Sequence, residues 1–467
     1  MWFAKTTFLF HKMLSREYKI HYKINWKIAY PLVLGQAGHM ITSIADTIMV
    51  GQLGSLQLAA ASVAHNVFIL VFVFGLGISY ATTTIVGKAY GERNTGLLQS
   101  IFINGLLATI GFGVLLTAIM YLITYLFPYL QQKQEVIELA IPYYQILVIS
   151  WLPYFIFMHY KQFVDGLTKT KPGMVIILIC NVVNVILNYG LIFGKLGFPE
   201  MGLNGAAVAT VISRSLMAIC YIVLMKYSNS LRIYLEKVSF KYLSYERIKE
   251  FFKLGLPIGV QHILEVGAFV VGALMTGWLG AKQLAAYQIV ISLASLTFLM
   301  SSGVSSTATI RISNLLGERK YHRLKVAGFS SFYMVLAFMT VCGVLFILGR
   351  YAIPSIYINE PDVIDIAAQL MIIAGLFQIM DGTQVTALGA LRGLQDVNYP
   401  TLISLLSYWI ITLPSAYLLG IYLNFGVKGI WWGYLIGLFF AAVILTGRFL
   451  YLLRKMNKQL ISTHSSL

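Results

Sequence analysis

Residues Lys27–Ala61 read KIAYPLVLGQAGHMITSIADTIMVGQLGSLQLAAA. An apolar run long enough to cross a bilayer carries one carboxylate, Asp46, and ends in a glycine turn that opens a second apolar run. A charge held in hydrocarbon costs about 2.5–3.5 kcal/mol on insertion scales, so a chain that keeps one there is expected to use it. The stripe Gln36, His39, Ser43 and Asp46 repeats at spacings of 3, 4 and 3, which puts all four side chains on one helix face.

The rest of the chain fits a membrane reading. Of 467 residues, 58% are hydrophobic and only 11% charged, against about 25% charged in soluble domains. Apolar runs fall at 27–52, 57–86, 97–127, 137–160, 172–194 and 203–226, then at 252–280, 283–311, 324–349, 363–391, 399–423 and 427–453. The expectation is an all-α polytopic membrane protein with twelve transmembrane helices. Residues 1–26 read as a cytoplasmic amino-terminal segment, 227–251 as a cytoplasmic linker and 454–467 as a cytoplasmic tail. The first 26 residues lack the apolar core and cleavage site of a signal peptide.

Charge sets the expected orientation. With both termini inside, only Lys133, Lys195, Lys282, Arg350 and Lys428 fall on external loops and Arg214 lies within a span. The remaining 28 of 34 basic residues are then cytoplasmic, as the positive-inside bias requires. The same bias accounts for the net charge of +17, so no nucleic-acid partner is inferred. Cys180, Cys220 and Cys342 lie apart in spans and form no metal or disulfide framework.

The two halves of the chain repeat. Shifted by 226 residues, Lys27 meets Lys253, Pro31 meets Pro257, the Gly51–Gly54 turn meets Gly277–Gly280, and Gly91-Glu92-Arg93 meets Gly317-Glu318-Arg319. After small gaps Gly166-Leu167 meets Gly393-Leu394, and Gly202/Gly205 meets Gly426/Gly429. Six spans per repeat keep the same orientation, so the expected architecture is two six-helix lobes, 27–226 and 252–453, related by a parallel repeat, as transporters are built.

Three of the seventeen acids sit well inside spans: Asp46, Glu265 in span 7 and Asp381 in span 10. An intramembrane acid is by default a cation or proton site. Asn181, Asn184 and Asn188 line one face of span 5; each can serve as a cation ligand or as an inter-helix hydrogen bond. Gln261 lies one turn from Glu265, and Gln378 shares a face with Asp381. Glu265 and Asp381 are both near mid-span and could meet across the second lobe. Arg214 is open between snorkelling, pairing with a carboxylate and a misplaced span boundary. Gly433 and Gly437 form a small-xxx-small pair expected to mark close helix packing.

These residues resemble a known family. Pro31…Gln36…Asp46-Thr47…Gly51-x-Leu53-Gly54…Leu58-Ala59-Ala60 is similar to the opening of the multidrug and toxic compound extrusion (MATE) transporters, and Asp165-Gly166-Leu167…Thr170-Lys171-Pro172 to their span 4–5 connection. Glu265-Val266, Asp381-Gly382-x-Gln384 and Gly389-Ala390-Leu391-Arg392-Gly393 resemble the second half of the bacterial NorM-type branch. The resemblance covers residues 27–453. It implies an antiporter, not an enzyme, that exports lipophilic or cationic small molecules across the bacterial cytoplasmic membrane in exchange for Na+ or H+, with no cofactor.

It further implies cation binding at Glu265 and Asp381, with Na+ as a candidate there, and a second lobe site at Asp46 with Asn184 and Asn188 beside it. Gln36, His39, Ser43, Asn181, Gln261 and Gln378 are expected as supporting polar or cavity residues. Some proton-coupled relatives carry an acid in span 5 where this chain has Asn184 and Asn188, which leans towards Na+ and leaves both ions open. A monomer is expected to suffice. The alternative within the same wider superfamily is a lipid-linked oligosaccharide flippase. A membrane enzyme is disfavoured, because no H-E-x-x-H, paired-Asp or nucleophile-elbow motif is present.

Overall fold

A computed structural model describes residues 16–235 and 242–464, with side chains described to residue 458. The expected features at residues 1–15, 236–241 and the end of the tail lie outside the described residues. The described chain is helical: α1 Arg16–Gly51, α2 Ser55–Gly91, α3 Thr95–Tyr129, α4 Gln134–Gly166, α5 Lys171–Phe193, α6 Gly202–Tyr227, α7 Tyr245–Trp278, α8 Ala281–Gly317, α9 Tyr321–Leu348, α10 Pro361–Gly393, α11 Asn398–Tyr422 and α12 Gly426–His464. Each expected span lies on one of these helices. Eleven are long and apolar enough to cross a membrane. The exception is α1, whose Gln36, His39, Ser43 and Asp46 stripe lowers its hydropathy although it is 36 residues long. The helix runs unbroken from Arg16 to Gly51, through residue 26.

Local sequence accounts for the breaks. Asn94 caps α3 by accepting from the Leu97 amide at 2.9 Å. Gly54 and Gly280 hold φ of 123° and 116° in the turns before α2 and α8, a region closed to side-chain-bearing residues. Helix α4 is interrupted at Ser150, between Ile149 and Trp151. Helix α11 widens into π turns over Leu405–Thr412 and Leu418–Tyr422, a local form often found at functional positions.

The chain forms two compact units, one Leu34–Ile263 and the other comprising residues up to Val33 together with Leu264 onward. In the repeat register the two division points lie about one turn apart, in α1 and α7. Each unit therefore takes its first helical half from the other repeat. Pro31 and Pro257, which each remove one rung of the helix ladder, stand close before these points.

Several contacts recur between the repeats. Thr83 donates to the Gln162 carbonyl at 3.2 Å and Thr309 to the Gly389 carbonyl at 2.8 Å, one step along the same register. A Cβ on Gly166 would fall 2.8 Å from Val86 Cγ1, and one on Gly393 would fall 2.8 Å from Ile312 Cβ, so both glycines seat one helix against its neighbour. Left-handed backbone recurs at Arg93 and Arg319 and at Thr168 and Gln395. The exchanged halves follow the rule too: a Cβ on Gly77 would lie 2.6 Å from Gly259 Cα, and one on Gly303 would lie 3.1 Å from Val33 Cα.

The exchanged halves are held differently. In α1, Asn25 donates to Ser330 and Ser331 hydroxyls at 2.8 and 3.0 Å, and Arg311 donates to His21 Nδ1 at 3.0 Å. Burial, with the Arg311 guanidinium beside it, pushes the His21 imidazole down to about 4. In α7, Phe251 is fully buried and packs against Gly105, where a Cβ would meet its ring at 2.5 Å. Gly433 and Gly437 behave as expected: a Cβ on Gly433 would meet the Ala416 nitrogen at 2.4 Å, so α11 and α12 touch along their backbones.

Candidate functional site

In the Leu34–Ile263 unit, Asp46 of α1 and the asparagine stripe of α5 meet. Asn188 Nδ2 donates to Asp46 Oδ1 at 2.5 Å and to Asn184 Oδ1 at 3.2 Å. Asn184 and Asn188 are buried, whereas Asp46 is half-buried and keeps accessible surface. Asn188 Oδ1 and Asn181 Nδ2 are buried with no hydrogen-bond partner among the described residues. Gln36 and His39 are half-buried on the same helix and Ser43 is exposed, so the stripe offers a graded polar face.

Arg214 stands at mid-helix in α6, which disposes of a misplaced boundary. It does not snorkel. Its Nη1 donates to Ser150 Oγ at 2.7 Å, at the break in α4, and its Cζ lies 5.0 Å from the Tyr154 ring centroid and 5.5 Å from those of Phe68 and Phe72. Asp46 and Arg214 act on each other electrostatically. Among the described residues no carboxylate lies within ion-pair distance of this guanidinium.

In the other unit, Glu265 and Asp381 are both buried and Asp381 feels the Glu265 charge. Tyr408 Oη donates to Glu265 Oε1 at 2.9 Å, from the first π segment of α11. Asp381 Oδ2 is buried with no hydrogen-bond partner among the described residues. Gln378 is oriented by Thr297, whose hydroxyl donates to its Oε1 at 2.9 Å, and Gln378 Nε2 has no partner among the described residues. Gln261 is buried one turn before Glu265, on the Leu34–Ile263 side of the division. No group of three His, Cys, Asp or Glu side chains with metal-binding spacing occurs among the described residues.

Tyr408, Thr297 and the Arg214 cage were not singled out from sequence. Each lies in an apolar or weakly polar run, where nothing marks a phenol or ring as turned towards an acid or a cation. The one signal was indirect: Tyr408 lies on the repeat counterpart of the helix that carries the asparagine stripe.

The MatE family model matches residues 31–190 and 257–418, once in each repeat. The chain belongs to the MatE family. It is therefore a multi-pass membrane transporter and not an enzyme. Among curated family members, a protein named probable multidrug resistance protein NorM from Agrobacterium fabrum is 31% identical, over 94% of this chain and 95% of its own. A Rhizobium meliloti protein of the same name is 32% identical, over 95% and 96%. A solved structure described as the outward-facing conformation of a multidrug resistance MATE family transporter superposes with a TM-score of 0.86 at 19% identity, covering 94% of this chain and 97% of the other. Family structures of this kind share the two-bundle, twelve-helix fold described above.

Proposed function

We propose that the chain is a cation-coupled antiporter that exports organic, often cationic, compounds across the bacterial cytoplasmic membrane by alternating access, acting as a monomer with both termini inside. The observation that carries the coupling is the buried acid pair of one unit. Glu265 is held by the Tyr408 hydroxyl, and Asp381 has an oxygen without a partner in the field of that same acid. Two carboxyl groups in low dielectric repel when both are ionised, so a proton or Na+ is the natural third party. The oxygens of Glu265, Asp381 and Tyr408 are hard donors of the kind such a cation takes, as part of a fuller oxygen shell.

The export of organic compounds is supported by the names of the curated relatives and by the half-buried polar stripe of α1. Cation entry from outside would favour the substrate-releasing state, and substrate entry from inside the other. Coupling requires each ligand to bind the two states with different affinity. The test is efflux of a cationic dye from proteoliposomes under separately imposed Na+ and proton gradients. Dye movement driven by one of them is expected; a dye indifferent to both would overturn the antiport reading.

A further inference from the structure

The repeat fails in one helix by a single residue. Thr168 and Gln395 hold equivalent left-handed positions before α5 and α11. At the far ends the Leu191 carbonyl accepts from the Met201 amide at 2.8 Å, and the Leu419 carbonyl from the Phe425 amide at 3.1 Å. A Cβ on Gly205 would lie 2.5 Å from the Leu191 oxygen and one on Gly429 2.5 Å from the Leu419 oxygen, so these points correspond. From Thr168 to Leu191 the chain advances 23 residues, and from Gln395 to Leu419 it advances 24. The surplus sits in the first π segment. Helix α5 is α-helical over Lys171–Phe193, whereas in α11 the Leu413 amide donates to the Tyr408 carbonyl, five residues back. Burial carries the same mark. Ile177, Asn181, Asn184, Asn188 and Leu191 are buried at alternating steps of four and three. Ser404, Tyr408, Thr412, Ala416 and Gly420 are buried at uniform steps of four, a stripe that would drift about 40° per turn on an α-helix. Pro414 favours a wide turn here, having no amide for the ladder and a ring that would crowd the Ile410 carbonyl.

We propose that the surplus residue of α11 is a positioning device for the coupling site: it turns Tyr408 onto Glu265, and without it the acid loses its phenol. This deepens the coupling reading above and rests on it. Tyr408 lies inside the π segment and donates to Glu265 Oε1 at 2.9 Å. Its neighbour Trp409 donates through Nε1 to the Leu264 carbonyl at 3.1 Å, so two consecutive residues of α11 are fixed on two consecutive residues of α7. Beyond the turn, α11 is held on α12 backbone to backbone. A Cβ on Gly433 would meet the Ala416 nitrogen at 2.4 Å, and one on Gly429 the Leu419 carbonyl carbon at 2.4 Å. That half has no room to rotate. Closing the π turn to an α turn would therefore swing the half that carries Tyr408 by one residue's rotation, about 100°, and take the phenol off the acid. Helix α5 needs no such turn, because Asn188 reaches Asp46 from a regular helix.

The structural alternative is that the π turn only accommodates Pro414 and has no bearing on the site. Deletion of the exposed Ile410 restores the residue count of α5 and separates the two. Ion binding is measured on the full chain in nanodiscs with no gradient imposed, Na+ with a radioactive tracer and protons with a release dye. The deletion should weaken affinity for whichever of the two binds by about tenfold, as Tyr408→Phe should. In the Tyr408→Phe background the deletion should change affinity by less than about twofold, because its effect runs through that phenol. A helix merely disturbed would lose affinity in both backgrounds. Unchanged affinity after the deletion, or an equal further fall in Tyr408→Phe, would overturn the proposal. Should the deletion variant not insert, Pro414→Ala carries the test, since it gives the Ile410 carbonyl an amide and removes the crowding. It should lower affinity about threefold in wild type and leave Tyr408→Phe unchanged, with the same two outcomes against it. A wild type that binds neither ion would break the coupling reading and this proposal together, whereas ion binding indifferent to the deletion breaks this proposal alone.

Discussion

In both halves an acid on the first helix is held by the fifth: Asp46 of α1 by Asn188 of α5, and Glu265 of α7 by Tyr408 of α11. The two acids are not at equivalent positions. Glu265 falls opposite His39, seven residues or about two turns before Asp46. The residue opposite Asp46 is Gly272, and a Cβ there would lie 1.7 Å from the Tyr434 hydroxyl. Tyr434 is bonded to Tyr287 at 2.9 Å. Their counterparts in the other unit are Thr210 and Ala61, neither of which carries a ring. Space that admits an acid in one copy is filled by two tyrosines in the other. Duplication supplied the helices, and side-chain volume decided where each acid could stand.

The comparison breaks most sharply at Asp46. Asp46→Asn keeps the shape and the reach to Asn188 but removes the charge, so the protein should fold and insert while gradient-driven export is lost. Wild-type export by that variant would make Asp46 a packing residue. Next, Gly272→Asp copies the acid into the occupied position. It should destabilise the protein by about 3 kcal/mol, through overpacking against Tyr434 and burial of an unpaired charge. Thermal melting in detergent checks this, and an unchanged melting point would show that the tyrosines do not close the site. Smaller again is Tyr408→Phe, which takes one hydrogen bond from buried Glu265 and should cost about 1–3 kcal/mol in the same measurement.

The smallest effect concerns the exchanged helix halves, polar in α1 and apolar in α7. His21 is held near 4, below the ordinary 6.5 of imidazole, so the unfolded chain takes up the proton first. Stability from this contact is present above about pH 6.5 and is lost as the pH falls towards 4. Melting of the wild type should therefore drop more steeply over that window than melting of His21→Gln; parallel curves would exclude protonation of the buried His21 as the cause.

Much of this was legible in the sequence, for physical reasons. A lone acid in an apolar run, a glycine that must adopt positive φ and a register kept over hundreds of residues are all local or periodic signals. They gave the twelve helices, the repeat, and the meeting of Asp46 with the asparagine stripe. What was not legible depends on which way an uncharged side chain turns. Tyr408 and Phe72 look like any aromatic residue of a span until packing sets one against Glu265 and the other under Arg214. The passage of the first halves of α1 and α7 into the opposite units was also hidden, because helices α1 and α7 each read as one continuous span.

The central claim is the proposal that coupling-ion chemistry belongs to Glu265 and Asp381, and that the Asp46 site does not share it. The direct measurement is ion binding to the purified protein in nanodiscs, following Na+ with a radioactive tracer and protons with a release dye in the same samples. Glu265→Gln should lose about tenfold or more in affinity for the coupling ion, with Asp46→Asn within about twofold of wild type. Loss of ion binding in Asp46→Asn with Glu265→Gln unaffected would contradict the account.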